Sequence, residues 1–180
     1  MKAIDMKKII ASLLIALTAF GFYSCGSSTK MTDEERAQIA SLVQQSINTL
    51  DMTFDITEIY RSSADIVYTN KEYSIILNNK TVNTRLPFWG RSYTGGFAEL
   101  SGNTSIILNN APMERIGIDG SAYQKDGCYK LSFQAKDKDN NILYFFIFKI
   151  YDDATADIRI SSNKKATMQF RGKLDFSDKK

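Results

Sequence analysis

Residues 142–151, "ILYFFIFKIY", limit what this chain can fold into more than any other stretch. Ten residues carry one lysine, and turn chemistry brackets them, "KDKDNN" before and "YDDAT" after. A run this short and this apolar reads as a strand buried on both faces. Its neighbours alternate. Tyr129, Leu131, Phe133 and Ala135 share one face against Lys130, Ser132 and Gln134 on the other. Ala156, Ile158 and Ile160 oppose Asp157, Arg159 and Ser161, and a last strand carries Met168 and Phe170. Several short strands at this spacing predict an antiparallel barrel or sandwich. The strand at 142–151 needs cover for Phe145 and Ile147 on its outer side.

The expected cover is a helix. Thr32 followed by Glu35 is a capping-box pattern, and Asp33 and Glu34 complement the positive end of the helix dipole. Ile39, Leu42, Val43, Ile47 and Leu50 recur at helical spacing, which predicts an amphipathic helix over 33–50. From 53 to 176 only strands and turns are expected. "SIILNN" occurs at 74–79 and again at 105–110, each copy a β-branched run ending in asparagines that suit a tight turn. The residues beyond the copies disagree, so the pair is not a repeat. The expected fold is mainly β, one domain over 32–180, with the N-terminal helix followed by an antiparallel lipocalin-like barrel or meander.

Residues 1–24 read as an export signal. Lys2, Lys7 and Lys8 precede the uncharged run 9–22, shorter than the ~20 apolar residues that span a bilayer. Met6 offers a second start, "MKKII". Cys25 follows Ser24 in a setting that resembles a bacterial lipoprotein lipobox, which implies lipid attachment at Cys25, with 25–31 as a tether. Phe22 and Tyr23 stand where the lipobox pattern prefers a leucine and a small residue. The implied location is the outer membrane, on the periplasmic side, because no acidic run follows the cysteine. Acylation leaves Cys128 without a partner, so no disulfide is expected. Removing the leader takes away three lysines and Asp5, and the net charge falls from +3 to +1. With no basic stripe, no nucleic-acid partner is expected.

The stretch 85–96, "RLPFWGRSYTGG", holds the lone tryptophan, Trp89. Pro87 has no N–H and is expected to end the pairing of its strand. Gly90 allows a bend, so that Phe88 and Trp89 point to opposite sides. Either one ring plugs a barrel end and the other covers an edge, or Trp89, Tyr93 and Arg91 rim a pocket beside Phe88. The segment "LPFWGRSY", with "GCYKLSFQAKD" and the closing "ISSN…F.G.L", resembles a Bacteroidetes family of exported proteins, domain of unknown function 4251. The likeness runs over about 35–175. It implies a helix leading into a lipocalin-like barrel and implies no activity.

Histidine is absent, which removes the commonest general base and metal ligand. Asp137, Asp139 and Asn141 alternate like the start of a calcium loop, but Ile142 stands where the glycine belongs and Phe148 where the closing acid belongs. No metal and no cofactor are expected. "TGG" at 94–96 lacks the lysine of a phosphate loop, and no two acids are singled out by an apolar setting. The expected function is a non-enzymatic cell-envelope module, anchored to the membrane at Cys25, that binds a small apolar or amphipathic ligand. Phe88, Trp89, Arg91 and Tyr93 are the candidate contacts. The alternative is a structural lipoprotein with a filled barrel that joins an envelope protein.

Overall fold

The computed structural model describes residues 32–61, 65–70, 72–94 and 97–176, with side chains described at all of these except 90–104. Helix α1, Asp33–Thr49, leads into strands β1 (Met52–Tyr60), β2 (Ile66–Tyr68), β3 (Ser74–Asn78), β4 (Thr81–Thr94) and β5 (Phe97–Asp119). A short helix α2 (Ala122–Asp126) precedes β6 (Cys128–Asp137), β7 (Ile142–Tyr151), β8 (Thr155–Ser162) and β9 (Met168–Asp175). The helix α2 departs from the expectation of strands and turns alone. It fills the corner between β5 and β6, and ends at Gly127, whose φ of 65° suits the left-handed cap.

The strands form an antiparallel meander that closes on itself. β2 and β3 lie end to end along one edge of β1, pairing with Glu58–Tyr60 and Met52–Asp55 in turn. Between them Ile56 donates to Tyr73, and Thr69 donates its N–H to Thr57 and its hydroxyl to the Ile56 carbonyl. Two short strands thus serve as one broken stave. β9 takes the other edge of β1, with Phe54 opposite Leu174 and Ile59 opposite Phe170. The result is an eight-stave closed barrel, as the alternation implied.

Inward positions carry the core. Along β7, Ile142, Tyr144, Phe146, Phe148 and Ile150 are all buried. Phe54, Phe133, Phe146 and Phe148 meet inside, with ring centroids 4.7 Å apart for Phe133–Phe146 and 5.0 Å for Phe54–Phe148. Val43 and Ile47 of α1, with Leu50 just beyond it, join the same cluster. Only Leu50 and Asp51 separate α1 from β1, so the helix leaves from the barrel end and meets side chains that point inward. The expected cover of the outer wall does not follow: Phe145 is half-buried and Ile147 remains 44% exposed.

The two "SIILNN" copies part ways. Asn79 and Lys80 both take positive φ, 44° and 67°, as the two-residue turn from β3 to β4. Asn110, with φ 46°, lies inside β5 instead, at a register shift against β4. It donates its N–H to Asn83 Oδ1 at 2.7 Å and accepts from Asn83 Nδ2 at 2.7 Å. The same two letters close a turn in one place and hold a bulge in the other.

Pro87 also departs from expectation. β4 pairs with β5 from Thr81 to Thr94, with Pro87 opposite Ser105. Pairing with β3 stops at Thr84, so by Pro87 one edge of β4 is already open and the missing donor breaks no ladder there. β5 in turn joins β6 only from Met113. The outer parts of β4 and β5 therefore run on as a two-stranded arm.

Candidate functional site

At the base of the arm, Phe88 lies opposite Thr104 and Trp89 opposite Gly102, which leaves Asn103 as the extra residue of a bulge. The bulge turns the chain, and the two adjacent rings go different ways. Phe88 is buried in the core. Trp89 is half-buried against it, with the Arg61 guanidinium 4.6 Å from its ring centroid. The Lys165 ammonium sits 5.1 Å from the Phe88 ring and donates to the Ser105 carbonyl at 3.3 Å. Burial pulls the Lys165 pKa down, against a smaller opposing pull from Asp137. Of the candidate residues read from sequence, Phe88 thus lies in the core and Trp89 at its margin. The side chains of Arg91 and Tyr93, and all of Cys25, lie outside the described residues.

Near Lys165, Asp137 is buried and fully used by its own turn. It accepts from the N–H groups of Asp139 and Asn140 at 3.0 and 3.2 Å, and from Asn140 Nδ2 at 2.8 Å. The alternating "DKDNN" residues therefore serve a turn, and no group of metal-ligating side chains occurs among the described residues. Tyr144 projects inward nearby with a buried hydroxyl that has no hydrogen-bond partner. Burial pushes its pKa well above the usual tyrosine range, with the Asp137 charge adding to the effect. Cys128 is buried and makes no disulfide among the described residues.

A second feature lies on the outer wall: a groove of about 450 Å³ over β1, β9, β8 and β7. Strand register builds it. Ile147 stands opposite Arg159, Arg159 opposite Gln169, and Gln169 opposite Tyr60, one row across four strands. The next row is Lys149, Asp157, Arg171 and Glu58, alternating in charge. Arg171 Nε donates to Asp157 Oδ1 at 3.0 Å, and the Tyr151 hydroxyl donates to Asp157 Oδ2 at 3.0 Å. That pairing with Asp157 raises the Arg171 pKa. The Tyr60 hydroxyl donates to Glu58 Oε2 at 2.5 Å, which raises the Tyr60 pKa, with burial adding to it. Both acids of this row are thereby engaged. Ile66 and Tyr68, 36% and 75% exposed, extend the two rows onto β2.

The sequence reading did not find this groove. Alternation places Asp157 and Arg159 on the outer face, but only cross-strand register lines them up with Ile147, Gln169 and Tyr60. Those partners are separated by up to about 110 residues, and no local pattern carries the register.

The profile of a family described as "Domain of unknown function (DUF4251)" matches residues 32–174. Among solved structures, a crystal structure of a DUF4251 family protein from Bacteroides eggerthii DSM 20697 superposes with a TM-score of 0.58 at 12% identity, covering 77% of this chain and 87% of that one. At that identity the likeness concerns the fold. No curated protein matches the sequence.

Proposed function

The chain belongs to the DUF4251 family, and from that premise we propose that it is an exported lipoprotein, anchored through Cys25, that engages another envelope protein through the outer groove of its barrel. The observation that carries this reading is the division between inside and outside. The interior is occupied by rings in mutual contact, Phe133, Phe146 and Phe148 among them, with centroids 4.7–6.3 Å apart. An apolar ligand would have to displace packed side chains there. The outer groove instead presents an exposed isoleucine and tyrosines beside fixed charges, a mixture found in protein interfaces. Among the described residues no catalytic constellation supports an enzyme reading: Asp157 and Glu58 are committed to neighbours, and the sequence contains no histidine. The lipid anchor rests on the leader and Cys25 alone.

The test uses the full-length chain in intact envelopes, with a photo-crosslinking residue in place of Ile147 in one variant and Ile118 in another. Ile118 is equally exposed, at 47%, but lies on β5, outside the groove. A discrete protein adduct from position 147 and none from 118 is the expected result. Equal yields from both, or none from either, would overturn the interaction role. Replacing Cys25 with alanine should move the protein out of the membrane fraction, and its retention there would overturn the anchor.

A further inference from the structure

Resting on that reading, we propose that the groove receives an extended segment of the partner protein with acidic side chains at alternate positions, seated on Arg159 and Lys149, and an apolar side chain against Ile147. The groove's acids are committed and two of its cations are not. Asp157 has one oxygen on Arg171 and the other on the Tyr151 hydroxyl. Glu58 holds the Tyr60 hydroxyl. Asp126, an acid of α2 that feels the charge of Lys149, is taken by Lys130 at 2.6 Å. Among the described residues Arg159 and Lys149 make no ion pair, and both stand at the exposed wall of the groove.

Their spacing selects the shape of the partner. Lys149 lies opposite Asp157 and Arg159 opposite Ile147, so the two cations are diagonal neighbours on paired strands. Such neighbours are roughly 7–8 Å apart. In an extended chain, side chains at positions i and i+2 project from one face about 6.8 Å apart. Two acids at alternate positions of a strand therefore match the two cations, while acids one helical turn apart would be set by a different geometry. Arg159 adds a planar fork that suits a carboxylate. Ile147 stands beside Arg159 in the same row, so an apolar side chain on the same face of the segment as the acids, two positions beyond the one on Arg159, finds apolar surface. An anionic membrane surface is a poorer match. The row Lys149, Asp157, Arg171 and Glu58 presents as many acids as bases, and a flat sheet of phosphates would meet both.

The experiment extends the cross-linking at position 147. Arg159→Glu should lower adduct yield about tenfold or more, and Arg159→Lys should keep part of it, because the charge remains and the fork is lost. Fragmentation of the adduct should place the linked partner residue beside Asp or Glu residues at alternate positions. Changing those acids to lysine should restore the adduct with a chain carrying both Arg159→Glu and Lys149→Glu. Both positions are exposed, and unchanged thermal unfolding of each variant shows that the fold is intact. An adduct whose yield ignores Arg159→Glu would overturn the acidic partner while leaving the interaction surface standing. Absence of any adduct would overturn both. Flotation of the chain with phosphatidylglycerol vesicles, lost in Arg159→Glu and unaccompanied by a protein adduct, would assign the groove to lipid and overturn the proposal.

Discussion

Tyr144 shows how a single side chain can set the pH response of a barrel. Its hydroxyl is buried without a partner, and burial raises its pKa above the ordinary tyrosine value of 10.0. Below about pH 10 the folded and unfolded chains both keep the proton, and the shift has no effect on stability. Above that, the unfolded tyrosine ionises while the folded one does not. The unfolded state then binds fewer protons, and stability falls as pH rises toward the folded value. Tyr144→Phe removes this dependence on pH. At neutral pH we expect the variant to be about 1 kcal/mol more stable, because an unsatisfied buried hydroxyl is lost. Above about pH 10 its advantage should grow by up to about 1.4 kcal/mol per pH unit. Urea unfolding of both proteins at neutral and alkaline pH measures this. Tyr60, Tyr123 and Tyr151 share the sign of the shift and are present in both chains, so the difference isolates Tyr144. A flat difference across that range would mean that the hydroxyl is hydrated or paired in solution. Little at this scale was legible in the sequence. Alternation puts Tyr144 inside, but its unmet hydroxyl depends on which groups the sheet brings around it.

At the scale of elements, the helix and most strands follow from local pattern, and the errors come where an element's surroundings decide. Spacing of Ile39, Val43 and Ile47 defines α1 and its buried side, but not which surface that side meets. The two-residue link to β1 settles the matter in favour of the barrel's interior. Two substitutions separate the alternatives. Ile47→Ala should cost about 2–4 kcal/mol, because a fully enclosed side chain leaves a cavity. Ile147→Ala should change stability by less than about 0.5 kcal/mol, because its side chain is exposed. Had α1 covered the outer wall, both would be costly, and chemical denaturation reads the contrast directly. The turn at Asn79–Lys80 allows a second check. Lys80 holds φ 67°, which a side chain with a Cβ adopts at a cost of about 1–2 kcal/mol. Lys80→Gly should therefore stabilise by about 0.5–1 kcal/mol in thermal unfolding, despite the greater freedom glycine brings to the unfolded chain. A loss of stability would show that Lys80 gains more from its side chain than from its backbone.

For the whole molecule, closure is the property that no single strand contains. The sequence shows staves, but the seam between the first and the last joins residues more than a hundred positions apart, and it lies at Gly172. Gly172 pairs with Ile56 of β1 on one side and Ala156 of β8 on the other. A Cβ built on it would stand 2.9 Å from the carbonyl oxygen of Asp55, a backbone atom that can move only if β1 moves. Gly172→Ala should consequently cost about 1–3 kcal/mol, the range for forcing a carbon into a packed site. Gly120 supplies the control, since nothing lies within 4 Å of its added carbon, and Gly120→Ala should fall within about 0.5 kcal/mol of the parent. Hydrogen exchange locates the loss. If β1 and β9 form a true seam, Gly172→Ala should speed exchange at the amides of both strands while leaving the β6–β7 ladder, far round the barrel, protected. An open sheet would leave β9 as an edge with room for the methyl group. Gly172→Ala would then behave like Gly120→Ala. Because β9 and β1 also supply Gln169, Arg171, Glu58 and Tyr60 to the outer groove, a seam that opened would split the groove along its length, so the same substitution should weaken cross-linking from position 147 in step with its loss of protection.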